Sequence, residues 1–152
     1  MLNKLQEHIE TEEIIPEHQF GFRKEHSTEL QLLRITDLIT TGFINKHYVI
    51  GVYLDIQKAF DKVWHEALIT KLIKMNTSPS LVKLITSYLK KRSYVVSQEG
   101  KLSKEKPIKA GVPQGSPLSA LLYNIYTADI PTSEHCTTAT FADDTAIFSS
   151  QN

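Results

Sequence analysis

Three aspartates stand where aspartate is a poor structural choice. Asp55 ends the apolar run YVIGVYL (residues 48–54), and Asp143 and Asp144 sit side by side between two short apolar runs, residues 137–141 and 145–148. Aspartate is depleted in strands, and adjacent carboxylates repel each other unless positive charge sits between them. No Lys or Arg occurs from Ala110 onward to supply that charge locally. A divalent cation would supply it. The ordinary reading of Asp143 and Asp144 is a solvated turn, where aspartate is common. Asp55 changes the weighing, because two strands ending in Asp55 and Asp143, laid side by side, would bring both acids to one edge of a sheet. Hard oxygen ligands around Mg²⁺ come as one or two carboxylates plus substrate phosphates. Two such ions, held about 3.5–4 Å apart by shared carboxylates, activate an attacking hydroxyl and stabilise a leaving pyrophosphate. That chemistry is phosphoryl transfer.

The surrounding elements must position these acids. Residues 48–54 are β-branched and aromatic-rich, which predicts a buried strand ending at Asp55. Ser27 or Thr28 can cap a helix whose apolar positions Leu30, Leu33, Ile35, Leu38 and Ile39 mix i+3 and i+4 steps, and which ends near Gly42. Residues 59–75 read as a turn into a helix, residues 76–79 as a break and residues 81–89 as a second apolar-periodic helix. Residues 93–98, a Glu99-Gly100 turn and residues 101–108 predict a hairpin. The loop GVPQGSP (residues 111–117) leads into an apolar helix over residues 118–127, with Pro117 in its first turn and Ser116 as its cap. Residues 137–141 and 145–148 are short strands joined by a tight turn with acids at its tip. Strands and helices alternate irregularly, so the expected fold class is α+β with a small antiparallel sheet rather than a parallel βαβ array.

The chain has 152 residues, 41% of them hydrophobic and 22% charged, in the range of one globular domain. Its one cysteine, Cys136, excludes an internal disulfide and a cysteine-based zinc site. The longest nearly apolar stretch, residues 48–54, is far short of the roughly 18 residues a membrane span needs. No charged-then-apolar leader follows Met1, so a soluble chain with no membrane contact and no readable address is expected. A formal net charge of zero argues at first sight against nucleic acid as a partner. The neutrality is a cancellation, however. Residues 1–30 and 110–152 each carry a net charge of −4, residues 31–80 carry +2, and residues 81–109 carry +6 from 8 basic and 2 acidic groups. In that basic segment Lys90, Lys91 and Arg92 stand together and Tyr88 and Tyr94 are interleaved, which suits phosphate neutralisation with ring stacking nearby. A solvated helix end and hairpin is the alternative.

Three ordered segments carry a resemblance. LDIQKAFDKVWH (residues 54–65), GVPQGSPLS (residues 111–119) and FADD (residues 141–144) closely resemble the palm motifs A, B and C of reverse transcriptases. The flavour is that of non-LTR (LINE-type) retrotransposons, jockey-like in LLYNIYTADIP (residues 121–131). QFGFR (residues 19–23) with Ser27 and Thr28 is similar to the family's fingers segment, so the resemblance covers nearly the whole chain. It implies one partial reverse transcriptase domain over residues 1–152, with residues 1–47 in the fingers and residues 48–152 mainly in the palm.

The resemblance also implies roles. Asp55 and Asp143 would hold two Mg²⁺ ions, with Mn²⁺ as a possible substitute. Asp144 would assist, and the backbone carbonyl of Ile56 would be a further ligand to the nucleotide-bound ion. Phe60, five residues after Asp55, matches the bulky position that screens the incoming sugar against a 2′-hydroxyl; a core aromatic at a helix start is its structural alternative. Gln114 and Gly115 resemble the loop that lies against the incoming nucleotide, where Gly permits close backbone approach and an amide bonds without adding charge. Arg23 matches a fingers arginine that contacts the triphosphate. Lys90, Lys91 and Arg92 lie where the family places template or primer backbone contacts. Asp61 reads as a structural capping or pairing residue and Trp64 as core packing, and His65 has no catalytic case.

The implied activity is RNA-directed DNA polymerisation, in which dNTPs are added to the 3′-hydroxyl of a DNA primer on an RNA template. Glu25 and Ala120 depart from the residues common in relatives, Gly and Pro. The resemblance stops eight residues after Asp144, so the rest of the palm and the thumb are expected to be absent, and nothing resembles an endonuclease. A catalytically silent remnant that at most binds nucleic acid is therefore the alternative from a different class. A two-metal nuclease would use similar acids but has no need of Phe60 or the Gln114 loop.

Overall fold

The computed structural model describes residues 2–151. In chain order it runs α1 (Leu2–Thr11), α2 (Thr28–Ile44), β1 (Tyr48–Leu54), a 3₁₀ turn (Ala59–Lys62), α3 (His65–Lys74) and α4 (Pro79–Leu89). Four two-residue strands follow, β2 (Ser93–Tyr94), β3 (Ser97–Gln98), β4 (Lys101–Leu102) and β5 (Lys106–Pro107), then α5 (Pro117–Thr127), β6 (Thr137–Phe141) and β7 (Asp144–Gln151). The main sheet is antiparallel with order β1-β7-β6, so the α+β expectation holds. No helix of the described residues is long and apolar enough to cross a membrane.

The elements start and stop for local reasons. Ser27 caps α2, its hydroxyl accepting from the Leu30 N–H, which satisfies one of the donors a helix start leaves unpaired. Pro79 and Pro117 open α4 and α5, where a missing N–H costs nothing. Ser116 occupies the N-cap of α5 as expected, but its side chain makes no capping bond; its carbonyl instead accepts from Ser119 and Ala120. The predicted hairpin forms as two short ladders, β2 with β5 and β3 with β4, and every residue of the four strands is exposed. Sequence reasoning assigned no element to residues 2–11, although Leu5 and Ile9, one helical turn apart, are both buried.

The larger core joins α1, α3, α4 and α5 through Leu5, Leu68, Leu72, Ile85, Leu122 and Ile125, which are almost fully buried. α5 is buried along most of its length, from Leu118 to Ile125. A smaller cluster packs Ile35 and Leu38 of α2 with Val49 against Ala139, Ala146 and Phe148 of the sheet. Here one expectation is corrected. β1 was expected to be buried, yet it is an edge strand with Tyr48 77% and Ile50 61% exposed. α2 covers only one face of the sheet, so the side chains of Tyr48, Ile50, Val52 and Leu54 have no layer above them. Likewise Leu30 and Leu33 of α2 are exposed. Apolar composition marks a surface suited to burial; whether it is buried depends on a second layer.

Candidate active site

The register of two strands assembles the site. β1 pairs with β7 from Tyr48↔Gln151 to Leu54↔Thr145, so the residue after Leu54 lies beside the turn that precedes Thr145. Asp55 and Asp143 consequently line one cleft of about 920 Å³, as the juxtaposition of strand ends required. Ile56, Phe60, Gln114 and Gly115 line the same cleft, together with Phe22 and Lys58. Six residues chosen from three separated sequence segments therefore converge.

Asp143 is half-buried on a two-residue turn, since Phe141 pairs with Asp144 across it. Asp144 is thus the first residue of β7. It is exposed and is not among the residues lining the cleft, in keeping with the alternation of side chains along a strand. Ala142, the first turn residue, has φ 58°, a left-handed conformation uncommon for a residue with a Cβ.

Phe60 is held by two other rings. It stacks on Tyr123 with centroids 4.7 Å apart and planes 18° apart, and it meets Phe22 edge-on at 6.2 Å. Burial, reinforced by the negative charge of Asp143 and by Tyr126, pushes the Tyr123 phenol up to about 12, so it stays protonated at neutral pH. Gln114 donates from Nε2 to Asp61 Oδ1 at 3.2 Å, which gives Asp61 the structural pairing expected of it. Gly115 has φ 82° and open space where a side chain would begin. The start of this loop is tied down by Gly111, whose carbonyl meets His65 Nε2 at 2.7 Å and accepts from Arg92 Nη1 at 3.1 Å. His65 and Arg92 thereby acquire positions in the scaffold of the loop.

Other candidates lie outside the cleft. Arg23 donates from Nη1 to the carbonyls of Pro16 at 3.0 Å and Gln19 at 3.1 Å, and it lines an adjoining cavity of about 590 Å³. Gln6, Phe22 and Leu121 are common to both spaces. Lys90 and Lys91 are exposed beyond the end of α4, whereas Arg92 is half-buried. Trp64 corrects an expectation: it is 57% exposed rather than core, its indole N–H donating to Glu66 Oε2 at 2.6 Å.

Sequence reasoning missed Phe22, Lys58 and Tyr123 around the cleft, and it missed Gln19, which is 4% exposed and bonds to the Ala142 backbone. Phe22 and Lys58 share a left-handed backbone, a feature invisible to hydrophobic periodicity. As a donor set for a divalent cation, the carboxylates of Asp55 and Asp143 in one cleft, which Ile56 also lines, match the hard-oxygen preference of Mg²⁺. Among the described residues, no group of three or more His, Cys, Asp or Glu side chains gathers as a preformed cage.

Comparison with known proteins agrees with this geometry. The family model described as reverse transcriptase (RNA-dependent DNA polymerase) matches residues 1–152. The RNA-directed DNA polymerase from mobile element jockey of Drosophila melanogaster is 41% identical over 155 residues, covering 97% of this chain. The probable RNA-directed DNA polymerase from transposon BS of the same fly is 40% identical over 158 residues, covering 99%. The chain spans 17% of the length of each of these relatives. Among solved structures, apo telomerase from Candida tropicalis, truncated from the C-terminal domain, superposes with a TM-score of 0.64 at 16% identity, over 96% of this chain and 32% of that one. The helices, the small antiparallel sheet and the ordered motifs are therefore those of a polymerase palm-like fragment, and the chain belongs to the reverse transcriptase (RNA-dependent DNA polymerase) family.

Proposed function

We propose that this chain carries the nucleotidyl-transfer centre of an RNA-directed DNA polymerase of a jockey-like, non-LTR element, adding dNTPs to a DNA primer on an RNA template. One observation carries the reading: Asp55, just after β1, and Asp143, just before β7, stand at adjacent ends of paired antiparallel strands and line the cleft that Phe60 and the Gln114-Gly115 loop also line. Asp55, Asp143 and the Ile56 carbonyl would hold two Mg²⁺ ions, which supply Lewis-acid activation of the attacking hydroxyl and charge neutralisation at the leaving pyrophosphate. The Phe60 ring, backed by Tyr123, would close the space beside the sugar where a 2′-hydroxyl would sit. Gln114 and Gly115 would contact the nucleotide through an uncharged amide and an unobstructed backbone. In this reading residues 1–47 form the fingers portion and residues 48–152 mainly palm, Asp144 assists from the next position along β7, and Lys90, Lys91 and Arg92 meet the template or primer backbone.

A second reading, binding of nucleic acid without turnover, is favoured by the Arg23 guanidinium, which is engaged by two backbone carbonyls rather than turned into the cleft. Primer extension on an RNA template with Mg²⁺ separates the two. The polymerase reading expects product from the chain, or from a version extended into the neighbouring sequence, with at least about a hundredfold loss in Asp55→Asn and Asp143→Asn, because metal-ion catalysis is worth several kcal/mol. Duplex binding without product, in both the chain and the extended version, leaves only the second reading.

A further inference from the structure

Gln19 grips the turn that carries Asp143 from both sides of one residue. Its Oε1 accepts from the Ala142 N–H at 2.9 Å and from the Gly21 N–H at 2.8 Å, while its Nε2 donates to the Ala142 carbonyl at 3.0 Å. A carboxamide can do this because it combines an acceptor with two lone pairs and two N–H donors in one plane. The turn has reason to be held. Ala142 has φ 58°, and strained backbone persists where its surroundings over-determine it. Gly21 presses on the same spot, since a Cβ there would lie 2.1 Å from the Ala142 nitrogen. The Gly21 carbonyl in turn accepts from Nδ2 of the buried Asn124 on α5 at 2.8 Å. The docking of this segment on β6 has independent support. Gln31 donates to the carbonyls of His18 and Thr140, and the backbones of Phe20 and Thr140 bond to Thr140 and His18. The Gln19 side chain therefore acts on the turn in addition to this docking.

We propose that Gln19 is a positioning residue: through Ala142 it sets the direction in which Asp143 presents its carboxylate to the cleft, and hence the affinity of that cleft for a divalent cation. The proposal rests on the reading of Asp143 as a metal-holding acid. Groups that orient a metal ligand without touching the metal change affinity about 10–100-fold when removed. A residue that served only to pack the fold would lower stability and leave the affinity of folded molecules unchanged.

The test uses the 152-residue chain with Mn²⁺ as the probe, titrated by electron paramagnetic resonance, and amide hydrogen exchange at Ala142 read by NMR. In Gln19→Ala the Ala142 amide is expected to exchange about tenfold faster or more, and the Mn²⁺ dissociation constant to rise about 10–100-fold. Gln19→Glu keeps the oxygen that accepts from Ala142 but loses the donor to the Ala142 carbonyl, so it should restore only part of the protection and of the affinity. Where Gln19→Ala does not fold, Gln19→Asn, a buried carboxamide one methylene short of the turn, carries the same expectations. Unchanged exchange at Ala142, or unchanged Mn²⁺ affinity in a folded variant, overturns the proposal. If the unaltered chain binds no Mn²⁺ that Asp55→Asn and Asp143→Asn abolish, the metal-site reading itself fails, and the exchange measurement still decides whether Gln19 governs the turn.

Discussion

The ring of Phe60 is fixed from two sides before any substrate arrives, stacked on Tyr123 and touched edge-on by Phe22. A ring packed in this way yields little, so its removal should open space rather than let neighbours collapse into it. In an active polymerase containing this segment, Phe60→Val is expected to raise the ratio of ribonucleotide to deoxyribonucleotide kcat/KM by roughly tenfold or more, the scale on which pocket volume discriminates. An unchanged ratio would remove Phe60 from its role as the sugar screen. His18 supports a prediction of a different kind. Burial, and secondarily the positive charge of Arg34, holds its imidazole below the ordinary value of 6.5. The folded state thus binds fewer protons than the unfolded one, so this contribution to stability is present above pH 6.5 and is lost as the pH falls through the folded value. Urea midpoints should decline below pH 6.5, and His18→Gln should flatten part of that slope; equal slopes in the two proteins would contradict the assignment.

Among the elements, α5 does most to place the site. Its buried length carries Tyr123 against Phe60 and Asn124 against the Gly21 carbonyl, while Leu122 and Ile125 pack into the core. Leu122→Ala should cost about 2–5 kcal/mol in urea unfolding, the range for a fully buried leucine whose cavity only partly closes. Gly21→Ala should be damaging for another reason. Its added methyl would meet backbone rather than a flexible side chain, 2.1 Å from the Ala142 nitrogen, so one of two segments has to move. A loss at the upper end of the about 1–3 kcal/mol typical of overpacking is expected, with chemical shifts changing around Ala142. Most of these elements were legible in the sequence, because caps, prolines and breakers act locally: Ser27 and Pro117 mark their helix starts as read, whereas Pro79, which reads as the end of the break, opens α4. Residues 2–11 were not, since three turn-spaced apolar positions, Leu2, Leu5 and Ile9, in a short polar helix give a weak signal beside the tertiary packing of Leu5 and Ile9.

At the scale of the whole molecule two surfaces stand out. One is apolar, where Tyr48, Ile50, Val52 and Leu54 of β1 lie exposed on an edge strand. Because these side chains gain little burial, Ile50→Lys should change stability by within about 0.5 kcal/mol. It should also reduce self-association, since exposed apolar edges template pairing and charge blunts them; light scattering and urea midpoints together check this. The other surface is the basic segment, where Lys90 and Lys91 are exposed but Arg92 is half-buried and bonded to the Gly111 carbonyl. Replacing Lys90 and Lys91 by Ala should weaken duplex binding uniformly across sequences and reduce the dependence of log K on log salt by up to about 2. Arg92→Ala should in addition disturb the Gly111 loop, because Arg92 donates to the Gly111 carbonyl.

Chemistry and local conformation were determined by the sequence itself. Carboxylates that no nearby cation neutralises, breakers around Gln114 and Gly115, and an aromatic at Phe60 are properties of residue type and spacing, and they were readable without coordinates. Exposure and convergence were decided only by the tertiary structure, because both depend on which surfaces meet. The pairing of β1 with β7 brought Asp55 to Asp143 but left Asp144 on an exposed position of the strand. The carbonyls of Pro16 and Gln19 captured Arg23, and the lack of a layer above β1 left a strand that reads as buried in contact with solvent. The Gln19 contact with Ala142 spans 123 residues of chain, a separation across which no local pattern in the sequence carries information.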